Sequence, residues 1–192
     1  MNWLTGQFPG SLYPKIPETI MTQSRNIVAV VLLTLAVVSR FLPHLPNFTP
    51  ILAISLFGGV YFTNRWVALL LPLGIMLVSD AVIGFHSLVP VVYGMFILFA
   101  IAGRQLRENL TIGRLAITGL GGSFSFFIVT NFFVWLTSGM YPAGFSGLVE
   151  CYVAAIPFFQ NSLLGDLVYI PALFGSFYLM ERSGVVPAEQ AA

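Results

Sequence analysis

The strongest constraint on this chain is the length of its uncharged runs. Residues 115–149 contain no Asp, Glu, Lys or Arg, and neither do residues 26–39, 41–64, 66–79 and 81–103. A soluble domain carries about 25% charged residues, whereas this sequence carries 8%, with 57% hydrophobic residues. A water-facing surface cannot be built from so few charges, so lipid is the solvent for most of the chain. In lipid every backbone N–H and C=O must be satisfied within the protein, and apolar runs of about 20 residues do that as helices. The sequence therefore predicts an all-α integral membrane protein.

Breaks at turn-forming clusters divide the apolar sequence into six predicted spans: 26–42, 48–63, 66–85, 89–105, 113–138 and 162–181. The second is short and lies behind Pro46 and Pro50. Between the fifth and sixth, "GMYPAGFSGLVECYVAAIPFFQN" reads as a long apolar and aromatic loop, and loops of that length carry function or cover a site. Residues 1–24 hold no signal-peptide core and read as a flexible cytoplasmic extension, with Met21 as a natural alternative start. The expected organisation is this extension, a membrane domain over 25–183 and a short tail over 184–192.

Several function classes fall away at this stage. The net charge of +1 offers no footprint for nucleic acid. Cys151 is the single cysteine, which excludes an internal disulfide framework and a multi-cysteine metal site. No phosphate-cradling glycine loop is present, and no cofactor or metal is expected. Any uphill transport would draw on a partner or a gradient.

Lys and Arg report the orientation. With the N-terminus inside, the inner segments hold Lys15, Arg25, Arg65, Arg104, Arg107, Arg114 and Arg182, seven of the eight basic residues. Only Arg40 lies near an outer helix end. This skew predicts N-in and C-in.

In that frame the remaining polar groups gather on the outer side. Arg40 is followed by His44 and Asn47 in "RFLPHLPNFTP". Asp80 lies near the outer end of span 3, and His86 follows it. Asn131 and Trp135 form an i, i+4 pair on span 5, and Gln160, Asn161 and Asp166 open span 6. Pairing of Arg40 with Asp80 or Asp166 is the plain structural explanation for such costly groups. It leaves one aspartate without a basic partner, which favours a binding site. Gly121-Gly122-Ser123 does not read as a hydrolase nucleophile, because no histidine follows it and both histidines belong to the outer boundary. Gly119, Gly122 and Ser123, like Ser55 and Gly59, read as small residues that let helices approach closely.

The segments "RFLPHLPNFTPILAISLFGG", "LPLGIMLVSDAVIGFH", "VTNFFVWLTSGMYP" and "CYVAAIPFFQNSLLGDLVY" resemble a family of bacterial transport proteins. That family is similar to the S components of energy-coupling factor (ECF) transporters. The resemblance implies a six-helix bundle in the bacterial cytoplasmic (inner) membrane that captures a vitamin or other micronutrient at its outer face. It also implies a substrate site formed by His44, Asn47, His86, Gln160 and Asn161 in the loops and by Asp80, Asn131, Trp135 and Asp166 on the helical wall. Many S components dock on a shared transmembrane subunit, driven by ATPases, through alanines four apart in the first helix. Here Ala29 and Ala36 are seven apart and Arg40 follows, so a solitary transporter of the cobalamin type stays open beside that energising module.

The residues thus lead to an expected binding and transport protein for a small nutrient. Arg40 favours a carboxylate or phosphate on the ligand, and Asp80 and Asp166 favour donors or positive charge. The expectation is not an enzyme. The alternatives are an intramembrane enzyme using Asp80 or His86 as a base, and an accessory membrane subunit without a ligand.

Overall fold

The computed structural model describes residues 18–186, with side chains from residue 23 onward. Most of the N-terminal extension, including Lys15, and most of the C-terminal tail lie outside the described residues. Six α-helices follow one another: α1 (Glu18–Val38), α2 (Ile51–Tyr61), α3 (Arg65–Ile83), α4 (Val89–Arg107), α5 (Ile112–Thr137) and α6 (Phe145–Arg182). A 3-10 turn, Ser39–Phe41, extends α1. Five of the six are long and apolar enough to cross a membrane.

The second helix is the exception. Its 11 residues rise only about 16 Å, half of a hydrocarbon core about 30 Å thick. The expected span 48–63 is therefore not a full crossing. Pro46 and Pro50 withhold backbone donors, and Asn47 sits at a φ of 64°, so residues 42–50 cannot join the helix. They form an irregular strap leading into α2, whose residues Leu52–Val60 are all buried. A helix apolar on every side belongs at the centre of a bundle.

Backbone proximity holds α2 there. A Cβ added to Gly59 would stand 2.2 Å from the Ala100 carbonyl oxygen, and one added to Gly103 would stand 2.3 Å from that of Leu56. Glycine is thus required on both sides of the α2–α4 crossing. Gly119 and Gly122 give room to side-chain ends rather than to backbone, with added Cβ atoms 2.8 and 2.7 Å from the Ile170 and Leu52 side chains. The expected role of these small residues in packing is what the structure has.

The second departure is the fifth loop. Residues 145–161, expected as part of a long covering loop, are helical, and α6 runs unbroken for 38 residues. Pro157 and Pro171 lie inside it; membrane helices tolerate proline where neighbours re-satisfy the freed carbonyls. The real connection is residues 138–144, turned by Gly139 and Gly144 at φ of 69° and 102°. Likewise α1 begins at Glu18, ahead of the expected boundary at 25.

Arginines other than Arg40 mark one end of the bundle. Arg104 donates to the carbonyls of Phe62 and Thr63, each at 3.4 Å, Arg107 to the Thr63 hydroxyl at 3.3 Å, and Arg114 to the Asn109 carbonyl at 3.2 Å. Arg25 of α1 pairs with Glu181 of α6 at the same end. The side chains of Asn64 and Thr111 cap α3 and α5 there, accepting from Trp66 and Arg114 backbone N–H groups at 2.9 and 3.2 Å.

Candidate functional site

Away from the arginine end, polar side chains meet in three groups. The first surrounds Arg40, which the 3-10 turn carries off the end of α1. Its Nη1 is 3.0 Å from Asp80 Oδ1 on α3. Tyr93 of α4 donates its hydroxyl to Asp80 Oδ2 at 2.9 Å. Arg40 also donates to Ser79 Oγ, while the Ser79 hydroxyl proton goes to the Met76 carbonyl at 2.8 Å. Asp80 is 4% exposed, and every member of the chain has a role its chemistry allows. The pairing of Arg40 with Asp80 joins α1, α3 and α4.

The second group lies between α5 and α6. Asp166 is 7% exposed, and its partner is Ser123, with Oγ and Oδ2 2.7 Å apart. Ser123 Oγ is also 3.0 Å from the Gly119 carbonyl. Among the described residues no cation pairs with Asp166.

The third group fixes the strap to α6. Asn161 Nδ2 donates to the Pro46 carbonyl at 3.0 Å, and the Ser162 hydroxyl to the Asn47 carbonyl at 3.2 Å. One turn further along, Gly165 faces the strap backbone so closely that an added Cβ would lie 3.1 Å from Thr49 N. Tyr169 packs against Phe48 with the rings tilted by 55° and centroids 5.6 Å apart, and shares a 2.9 Å hydroxyl contact with Ser39. Non-helical backbone at membrane depth persists only where protein or a water-lined cavity accommodates it, and α6 supplies the protein. The costly groups of "RFLPHLPNFTP" serve these contacts: Arg40 clamps α3, and the prolines and Asn47 shape the strap.

The other expected site residues have local roles. His44 is exposed, with Nδ1 2.9 Å from the Leu45 carbonyl. His86 is exposed in the α3–α4 turn and Gln160 on α6. Asn131 turns its Nδ2 back to the Phe127 carbonyl at 2.8 Å, and Trp135 Nε1 donates to the Pro142 carbonyl at 3.1 Å, bracing the α5–α6 turn. Cys151, expected in a loop, is buried in α6 with Sγ 3.4 Å from the Asn131 carbonyl. Asp80 thus meets Arg40, and Asn161 meets the strap that carries Asn47. His86, Gln160, Asn131 and Trp135 are not drawn into those groups.

Sequence reasoning passed over Ser79, Tyr93, Ser162 and Tyr169, and read Ser123 only as packing. For Ser123 a signal existed. Once α5 and α6 are an antiparallel hairpin with a short turn, Gly119 falls opposite Ile170 and Ser123 opposite Asp166. The reading of 139–161 as a loop concealed that register.

Above the Ser123–Asp166 level the hairpin continues for 14 residues of α5, about 21 Å. Phe124, Phe127, Tyr152 and Phe159 line its seam, with Phe127 and Phe159 centroids 4.7 Å apart. On the opposite flank, a groove of about 500 Å³ runs between α1 and α3; apart from Thr34 and Ser79 its lining is apolar. Among the described residues no three His, Cys, Asp or Glu side chains stand together as metal ligands.

No curated protein and no solved structure matches the chain. A family described as "Family of unknown function (DUF6580)" matches residues 21–188, most of the chain, and the chain belongs to that family.

Proposed function

We propose that this protein is the membrane-embedded substrate-binding component of an uptake transporter for a vitamin-like micronutrient, of the kind the S components represent. Its site lies at the face opposite the arginines, which is the outer face of a bacterial inner membrane in an N-in, C-in topology. The observation that carries the reading is the strap. An irregular segment that leads from the end of α1 into the half-length, buried α2, held to α6 by side chains of Asn161 and Ser162, is a floor against which a ligand can be bound. The aromatic hairpin supplies an apolar wall, and the few polar groups beside it fix orientation, the usual make-up of a small-molecule site.

The arrangement favours this over an intramembrane enzyme. Asp80 is engaged by Arg40 and Tyr93, and His86 is exposed in a turn, so neither is poised as a base. For an energising module, α1 offers no alanine face, because Ala29 and Ala36 are both buried inside the bundle. Action without that module is the reading we adopt.

Native mass spectrometry of detergent-extracted protein tests the proposal directly: a copurified small molecule should be retained by wild type and lost in the double variant Asn161→Ala with Ser162→Ala. A protein that never carries a ligand, from cells grown in rich medium, sinks it. Orientation is checked separately. Ser87→Cys should react with an impermeant thiol reagent from outside the cell, and Asn109→Cys should not; both positions are exposed in turns at opposite ends. The reverse labelling would turn the strap toward the cytoplasm and end the uptake reading.

A further inference from the structure

The Ser123–Asp166 pair has a hydrogen-bond count that only one proton arrangement completes. A serine hydroxyl has a single proton to donate. Ser123 Oγ nevertheless lies 3.0 Å from the Gly119 carbonyl and 2.7 Å from Asp166 Oδ2, and both of those oxygens are acceptors when Asp166 is ionised. Back-bonding to the carbonyl one turn earlier is the ordinary habit of a helical serine. If Ser123 follows it, the short contact to Asp166 needs a proton from the aspartate.

We propose that Asp166 and Ser123 form a proton-binding site within the membrane-spanning bundle. In the loaded state Asp166 Oδ2–H donates to Ser123 Oγ, and the Ser123 hydroxyl donates to the Gly119 carbonyl. On release the proton passes from Asp166 to water, and the Ser123 hydroxyl turns from the carbonyl to the carboxylate. Nothing else is gained or lost in the exchange.

The surroundings agree with a proton rather than a fixed counter-charge. From α5 the facing groups are Ser123 and Gly119, and from α2 the side chain of Leu52 packs beside them at Gly122. From the strap, the backbone at Thr49 lies against Gly165, and the strap's one titratable group, His44, is exposed and bonded to its neighbour's carbonyl. On α6 itself the nearest titratable group is Tyr169, which is engaged with Ser39; Tyr152 donates away to the Ile128 carbonyl at 2.6 Å. From α1 and the 3-10 turn, Arg25 is held by Glu181 at the far end and Arg40 by Asp80. Among the described residues, an ionised carboxylate in this position has one hydroxyl to stabilise it and no cation, which membrane interiors penalise. The chain also lacks a nucleotide-binding loop, and a proton site gives such a protein a gradient to draw on.

This inference goes beyond the transport reading and does not rest on it, since the proton can be detected with no nutrient present. The test is infrared spectroscopy of the whole protein in phosphatidylcholine vesicles, recorded as a difference between about pH 6, where water-exposed carboxylates are already ionised, and alkaline pH. Wild type should show a protonated carboxylic-acid C=O band that disappears on raising the pH, and Asp166→Asn should lack it. Ser123→Ala, which removes no charge, should keep the band but move it to higher frequency, because the acid has lost its hydrogen-bond acceptor. Absence of the band in wild type, or its persistence in Asp166→Asn, overturns the proposal. Should Asp166→Asn fail to insert, Ser123→Ala decides: an unshifted band in that folded variant overturns the assignment as surely.

Discussion

Two buried serine–aspartate neighbourhoods in this molecule differ by one cation. Ser79 and Ser123 both have a backbone carbonyl of their own helix within hydrogen-bond reach, those of Met76 and Gly119. Ser79 then accepts a hydrogen bond from Arg40, which also pairs with Asp80. Ser123 faces Asp166, and no cation among the described residues pairs with it. In the first case the charges are balanced by the chain, and the network is a clamp among α1, α3 and α4. In the second, balance needs something mobile. The lesson is that burial of a carboxylate does not mark a functional group; the absence of a fixed counter-charge does.

The comparison breaks most visibly under amide substitution. Asp80→Asn strands the Arg40 guanidinium, and loss of one member of a buried pair costs about 3–5 kcal/mol. Adding Arg40→Gln should recover much of that loss. Asp166→Asn removes no ion pair, and its amide N–H replaces the acid O–H toward Ser123, so stability should stay within about 1 kcal/mol of wild type. Thermal unfolding in detergent of the three variants and wild type reads all of this. Equal destabilisation by the two Asn substitutions would show that the two carboxylates are held by the same means.

Much of the contrast was legible in the sequence. With Arg40 the only basic residue near that end, one aspartate had to lack a cation, and the structure identifies it as Asp166. The apolar runs located all six helices, and the arginine skew located one end of the bundle. What the sequence did not expose depends on partners far along the chain. Whether "FSGLVECYVAAIPFFQN" is loop or helix is not set by its composition, because Pro157 argues for a break and tertiary packing overrides it. Nor does an apolar window distinguish a crossing helix from a buried half-length one; the burial of α2 from Leu52 to Val60 is a property of its five neighbours. Tyr93 and Ser79 were unreadable for a related reason. A tyrosine near a helix end usually belongs to an interfacial belt, and nothing local to it points at Asp80.

A smaller effect sharpens the clamp side. Tyr93→Phe keeps the ring and removes the hydroxyl that serves Asp80 Oδ2. A hydrogen bond to a charged group contributes about 1.5–3 kcal/mol, so the variant should fall between wild type and Asp80→Asn. If Tyr93→Phe is neutral, water replaces the hydroxyl and that end of the network is open rather than closed.

The smallest effect belongs to the strap. Asn161→Ala and Ser162→Ala each remove one bond to a strap carbonyl, those of Pro46 and Asn47. Side-chain hydrogen bonds within membrane proteins average about 0.6 kcal/mol, and Pro46 and Asn47 are themselves exposed, so water can take over either carbonyl. Each single variant should therefore unfold close to wild type. The two bonds reach adjacent residues, so either one restrains the same backbone; the double variant should lose more than the sum of the singles. The loss should appear as faster thiol labelling of a cysteine at Thr49 before it appears in the unfolding temperature, because the strap can lift while α2 stays packed. Gly165→Ala approaches the same contact from the other side, since its new Cβ must push Thr49 back by a few tenths of an ångström. Matching labelling in Gly165→Ala and the double variant identifies the strap as a separately movable element. A double variant that unfolds as readily as Asp80→Asn would instead make the strap part of the core, and the ligand floor would have to be sought elsewhere.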